Sequence, residues 1–223
     1  MKTRMPKFEL ENKVAIITGA GGGIGKELCR EFDSAGATVV LVGRTKGKLD
    51  VVSHELENSK SLVIPSDITK PDEVDSLIAR TVDTFGRVDI IINNAGGGVT
   101  PCKPEEHLYE DWVRMIDVNL TATFICCIAA GKQMIKQSSG KIINISSTAG
   151  TKGHPYMLHY SAAKAGVLSL TNNLAFNWAE HNICVNAVVP GLIATPAMIN
   201  YGVTPKEVND EGKQVPRLKL APG

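Results

Sequence analysis

The sequence has little that would tie it to a charged polymer, a metal or an oxidising compartment. Its 24 basic and 23 acidic side chains leave a net charge of +1, and no block of like charge stands out. That balance excludes the basic footprint of a nucleic-acid binder and the polybasic or acidic tail of a membrane or partner segment. The five cysteines, Cys29, Cys102, Cys126, Cys127 and Cys184, are odd in number and scattered. No C-x-x-C pair exists, so neither a disulfide framework nor a zinc or redox motif is expected. They read as small buried hydrophobes of a cytoplasmic protein with no metal. Met1 to Lys13 carries Lys and Glu and no apolar run, so no secretory signal is expected. The most apolar helical stretch, Thr121 to Ala130, is too short to cross a bilayer. There is no internal repeat, low-complexity stretch or linker.

What is present is a regular alternation. Apolar, branched runs at Val14–Thr18, Thr38–Val42, Leu62–Pro65, Val88–Ile92, Lys141–Ile145 and Ile183–Val189 read as strands. Between them, helical patterns cover Ile24–Gly36, Lys48–Glu57, Pro71–Phe85, Leu108–Gln137 and Met157–His181. A further helix is expected over Thr204–Gln214. Continuous apolar strands alternating with helices predict an α/β fold: a doubly wound parallel sheet, strand order 3-2-1-4-5-6. Ligands then sit at the carboxyl ends of the strands. With 223 residues, 43% of them hydrophobic, the chain has room for one large domain, taken as residues 8–223.

Between the first strand and the first helix lies Thr18-Gly19-Ala20-Gly21-Gly22-Gly23-Ile24-Gly25. Glycines there allow a tight turn and close backbone approach, and the helix start offers unpaired N–H groups to a pyrophosphate. The alternative for a glycine cluster alone is a flexible turn. An acidic residue ending the second strand would mark an NAD site, but that place reads Val42-Gly43-Arg44-Thr45. Arg44 could fork onto a 2′-phosphate, which favours NADP(H) over NAD(H); otherwise it is a solvated side chain at a helix start.

Tyr160 and Lys164 stand four apart on a helix after the fifth strand, so both lie on one face. A free tyrosine has a pKa of about 10 and is a poor base at neutral pH. A nearby ammonium lowers that value, and Lys164 together with the positive charge of a bound nicotinamide could supply the shift. Ser147 ends the preceding strand, and Asn119 lies in the long helix before it.

In order, spacing and element, Asn119, Ser147, Tyr160 and Lys164 resemble the catalytic tetrad of the short-chain dehydrogenases/reductases. Thr18, Gly19, Gly23 and Gly25 match that family's T-G-x-x-x-G-x-G loop. The resemblance covers about Phe8 to Pro216. It implies a single Rossmann-type domain that moves a hydride between a nicotinamide cofactor and an alcohol or ketone. In such a site Ser147 hydrogen-bonds the substrate oxygen and Tyr160 exchanges the proton. Lys164 holds the nicotinamide ribose and tunes Tyr160, and Asn119 holds a water. Gly19, Gly23, Ile24 and Gly25 cradle the pyrophosphate. Asp67 and Ile68 meet the adenine, with a helix cap as the alternative for Asp67. Asn94, Ala95 and Gly96, in the N-N-A-G turn, lie by the adenosine ribose. Pro190, Gly191, Ile193 and Thr195 hold the nicotinamide carboxamide.

Substrate contacts would come from Gly97, Gly98, Val99, Ala149, His154, Tyr156, Ala197 and Met198. A homodimer or homotetramer, through exposed apolar residues on the helices carrying Asn119 and Tyr160, is implied for the full-length protein. Family chains continue into another helix and a seventh strand, so the C-terminus is expected to be truncated, with Ile183, Val185 and Val189 on an exposed edge. Two other readings are a sugar-nucleotide epimerase or dehydratase, which needs a larger C-terminal domain, and a non-catalytic NADP-binding regulator, against which the intact tetrad argues.

Overall fold

The computed structural model describes residues 9–57, 61–97, 101–193, 195, 206–208 and 214–216. Six apolar runs form strands β1 (Val14–Thr18), β2 (Thr38–Gly43), β3 (Ser61–Pro65), β4 (Ile90–Asn93), β5 (Gly140–Ile145) and β6 (Ile183–Val188). They pair in parallel in the order β3-β2-β1-β4-β5-β6, the order expected. Ile16 of β1 stands opposite Val40 of β2 and Ile91 of β4. All five residues of β1 are buried, which is why the strand reads as a continuous apolar run.

Successive strand side chains point to opposite faces. Ile16, Val40, Ile91, Ile142 and Val185 enter a core closed by α3 (Pro71–Phe85), α5 (Ala122–Gln137) and α6 (Leu158–Trp178). Ala15, Ile17, Val39, Leu41 and Ile92 enter a second core under α1 (Gly23–Ser34) and α2 (Lys46–His54). Pro71 opens α3, and Gly86, at φ 78°, closes it by donating its N–H to the Val82 carbonyl at 2.7 Å. The fourth strand starts at Ile90 rather than Val88. The backbone of Val88 is held from both sides by the Gln137 amide. The Asp89 carboxylate takes the Val14 N–H and two bonds from Arg87.

The single helix expected over Leu108–Gln137 is two helices. α4 (Tyr109–Ile116) and α5 are joined by a π-helical turn, Asp117–Thr121. The Asn119 amide donates to the Met115 carbonyl one turn back, at 3.2 Å, in competition with the backbone ladder. The whole span is long and apolar enough to cross a membrane by length and composition. The core accounts for that apolarity: Cys126, Cys127, Ala130 and Met134 are buried against the sheet.

Of the helix expected over Thr204–Gln214, the described residues are 206–208 and 214, and these are in strands. β7 (Lys206–Val208) and β8 (Gln214–Pro216) pair antiparallel, Lys206 opposite Pro216. The sequence between them contains Asn209, Asp210 and Gly212, which favour chain reversal over helix. Among the described residues no strand pairs with the outer edge of β6. Yet Ile183 and Val185 are buried in the core; Val188 and Val189 are the exposed ones.

Candidate active site

The strand order reverses between β1 and β4, and the glycine loop stands at that crevice. Gly19 has φ +69°, and a Cβ there would lie 2.9 Å from the Asn94 amide nitrogen and 3.0 Å from Ala95 Cα. A Cβ on Gly25 would strike the Gly19 carbonyl oxygen. Both positions require glycine, so that loop and helix start can close on each other. α1 begins at Gly23 with no side-chain cap, and a Cβ on Gly22 would meet nothing within 4 Å. The first N–H groups of α1 have no side-chain cap, and a helix start of this kind suits the negative charge of a pyrophosphate. The Thr195 side chain lies 3.6 Å from the Cβ position of Gly23. The segment after β6 thus reaches the start of α1. Pro190 is fixed in that segment by the Thr148 N–H at 3.0 Å, and Gly191 and Ile193 are exposed.

The N-N-A-G turn is built into this crevice by Thr18. Its hydroxyl donates to the Ile92 carbonyl and accepts the N–H groups of Asn94 and Ala95, each at 3.0 Å. The Asn94 amide returns a bond to the Thr18 carbonyl at 3.0 Å. Arg44 is exposed at the end of β2 and, among the described residues, has no hydrogen bond or ion pair. Asp67, beyond the end of β3, does not cap α3. Its Oδ1 accepts the hydroxyl of Thr69 at 2.8 Å and its N–H at 3.1 Å. Those bonds, then the charges of Lys70 and Arg44, hold its carboxyl below the usual range. The Ile68 side chain packs against the core.

The four tetrad positions converge from three elements. Asn119, fully buried in the π turn, accepts the Gly97 N–H at 2.8 Å and donates to the Gly97 carbonyl at 3.1 Å. A Cβ on Gly96 would lie 2.7 Å from Asn119 Oδ1 and 3.3 Å from Lys164 Nζ. Lys164 is buried; its Nζ donates to the Ile145 carbonyl at 2.9 Å and stands 5.7 Å from the centre of the Tyr160 ring. Ser147 follows β5 and accepts the Ala149 N–H at 3.1 Å. Burial pulls the Lys164 ammonium down to about 8. For Tyr160 burial dominates and pushes the phenol up, while a hydrogen bond with Ser147 pulls the other way. The lowering expected from Lys164 is therefore not what this chain's own groups produce. Loss of water disfavours both charged forms, and the ammonium is turned to a carbonyl.

Residues 13–205 match the family model of the short chain dehydrogenases. The chain is 40% identical over 199 residues to a 3-oxoacyl-[acyl-carrier-protein] reductase of Synechocystis sp., covering 88% of this chain and 80% of that protein. It is 38% identical over 198 residues to an uncharacterised oxidoreductase of Staphylococcus aureus, covering 89% and 85%. The chain belongs to the short-chain dehydrogenase family. Solved structures agree. A short chain dehydrogenase from Bacillus anthracis superposes with a TM-score of 0.80 at 39% identity, covering 83% of this chain and 76% of that one. A short-chain type dehydrogenase/reductase from Mycobacterium marinum gives 0.79 at 35%, with the same coverage. Members work with a nicotinamide cofactor, so this short-chain dehydrogenase is an NAD(P)-dependent oxidoreductase.

Sequence reasoning missed what supports the site of this dehydrogenase. Asn93, at the end of β4, donates to Asn144 Oδ1 at 2.8 Å, and the Asn144 amide donates to the Thr171 hydroxyl at 2.9 Å. All three are buried, tying β4, β5 and α6 together. The Ser146 hydroxyl donates to the Lys164 carbonyl at 2.8 Å. The available signal was polar residues inside strand runs, where a buried amide needs a partner. Of the substrate-side candidates, Ala149 is buried, Gly97 half-buried, and His154 and Tyr156 exposed. Gly98, Val99, Ala197 and Met198 lie outside the described residues.

Proposed function

We propose that this chain moves a hydride between NADP(H), in preference to NAD(H), and an alcohol or ketone, with Tyr160 as the general acid/base. The observation that carries the reading is the meeting of Asn119, Gly96 and Lys164, with the Lys164 ammonium 5.7 Å from the centre of the Tyr160 ring. When bound, the nicotinamide group gives or takes the hydride. Ser147 orients the substrate oxygen by hydrogen bonding. Tyr160 hands its hydroxyl proton to that oxygen in reduction and recovers it in oxidation. Lys164 keeps one N–H on Ile145 and directs the others at the nicotinamide ribose. Asn119, held by Gly97, lies beside Lys164 to relay protons through a water. Gly19, Gly23, Ile24 and Gly25 take the pyrophosphate, and Asp67 and Ile68 the adenine. Asn94, Ala95 and Gly96 take the ribose, and Pro190, Gly191, Ile193 and Thr195 the carboxamide. The unpaired Arg44 supports the 2′-phosphate assignment.

The sparse charge beside the mouth, at Ala149, His154 and Tyr156, favours a substrate without high charge. Exposed Phe124 on α5 and Phe176 on α6 support a homodimer or homotetramer. The free cysteines, three of them buried, support a cytoplasmic protein.

The test is cofactor oxidation and reduction against a panel of ketones and alcohols, for the original chain and Tyr160→Phe. Loss of about 10²–10⁴-fold in turnover with cofactor binding retained is expected. Near-original turnover in Tyr160→Phe overturns the mechanism.

A further inference from the structure

Two histidines outside this chemistry meet beside the catalytic tyrosine. The ring of His159, the residue before Tyr160, is 1% exposed, and His107 stands in the segment leading into α4. Their ring centres are 4.4 Å apart, with planes at 60°. His159 Nδ1 and His107 Nε2 are both buried without a hydrogen-bond partner. A neutral imidazole carries one donor and one acceptor nitrogen, whereas a protonated one carries two donors and a charge. The cleft offers such a charge little. Asp111 on α4 is the nearby carboxylate, but it is paired with Arg114 at 2.7 Å. On α6 the other ionisable groups near this turn are Tyr160 and Lys164, whose ammonium is turned to Ile145.

We propose that the His107–His159 pair is an acid-sensitive latch: packed together it holds the first turn of α6 against the entrance to α4 and so positions Tyr160, and protonation of the buried His159 ring releases it. The proposal rests on Tyr160 acting as the proton-transfer residue, although the latch itself does not. Burial first, and the neighbouring His107 second, hold the His159 imidazolium below its ordinary value; Asp111 pulls the other way and Arg114 adds to the lowering. A histidine depressed in the folded state takes up its proton more readily when unfolded. The stabilisation is therefore complete above about pH 6.5, the ordinary histidine value, and is lost as pH falls from there towards the depressed one. His107 and His159 are positioning residues; neither is assigned contact with the reacting atoms.

Three measurements on the full chain decide it. Histidine-ring NMR of the original protein should show the buried His159 ring resisting protonation well below pH 6.5. The melting temperature of the original protein should fall from pH 7 to pH 5 more steeply than that of His159→Gln or His107→Gln. In the original protein kcat/KM should decline about tenfold per pH unit on the acid side, and the variants should shift or flatten that limb. A His159 ring titrating at its ordinary value, or superposable melting and activity profiles in all three proteins, would overturn the latch. If the variants do not fold, the ring titration alone decides. If no alcohol or ketone is turned over, the functional reading fails, while ring titration and melting still test the latch.

Discussion

Gly96→Ala is the sharpest probe of how the tetrad is held. The new Cβ would stand 2.7 Å from Asn119 Oδ1 and 3.3 Å from Lys164 Nζ, well inside normal non-bonded separations. Neither neighbour can yield freely: Asn119 is fixed by both bonds to Gly97, and Lys164 by the Ile145 carbonyl. Overpacking a rigid site costs about 1–3 kcal/mol. Weakening the two Asn119 bonds adds about 0.5–1.5 kcal/mol each. A total near 3 kcal/mol lowers the melting temperature of a domain this size by roughly 6–12 °C. Displacing Lys164 by a fraction of an ångström should also lower kcat/KM, by up to about 100-fold. Gly47→Ala is the control, since a Cβ there meets nothing within 4 Å; it should be neutral or slightly stabilising. Differential scanning calorimetry and steady-state kinetics provide both readouts. A Gly96→Ala protein that melts and turns over like the original would refute the packing of Asn119 and Lys164 against this turn.

Arg44→Asp should swing cofactor preference towards NAD(H), because it removes a phosphate partner and adds a like charge; equal affinities for both cofactors in the original protein would deny Arg44 that role. Lys164, drawn down to about 8 by burial, binds fewer protons folded than unfolded between there and its ordinary value of 10.5. The original protein should therefore gain stability relative to Lys164→Met as pH rises from 8 to 10, by roughly 3 kcal/mol at most; parallel urea-unfolding curves across that range would count against it. Asn144→Ala leaves the Asn93 amide and the Thr171 hydroxyl without their buried partner. It should cost about 2–4 kcal/mol in urea unfolding, and a change below 0.5 kcal/mol, the size of an ordinary surface substitution, would show the network to be incidental.

The strands were legible because burial on both faces leaves no room for polar alternation: β1 was read to the residue, and only the edges of the others moved. The glycine loop and the placement of Asn119, Ser147, Tyr160 and Lys164 near one another were legible because their spacing is fixed by elements that were themselves legible. The π turn was not, because Asn119 sits within an unbroken helical pattern and nothing local marks the extra residue. The Asn93–Asn144–Thr171 chain joins positions 51 and 27 residues apart, a distance no local pattern spans. The segment from Thr204 failed for a different reason. Asn209, Asp210 and Gly212 are chain-reversal residues, and the three-residue strands they separate are too short to show as apolar runs. The burial of Tyr160, which raises its phenol in the chain alone, was not legible, because sequence spacing gives the neighbour but not the depth.

The π turn at Asp117–Thr121 also sets a rotational phase. Each residue of an α-helix turns the side-chain direction by about 100°. Before the turn α4 presents Met115 to the interior, and after it α5 presents Cys126, Ala130 and Met134 to the sheet. Deleting one residue from the turn would restore an ordinary helix but swing one of those faces away from its support. The insertion is thus a gear between two packing surfaces, and chain length there is constrained together with the identity of Asn119.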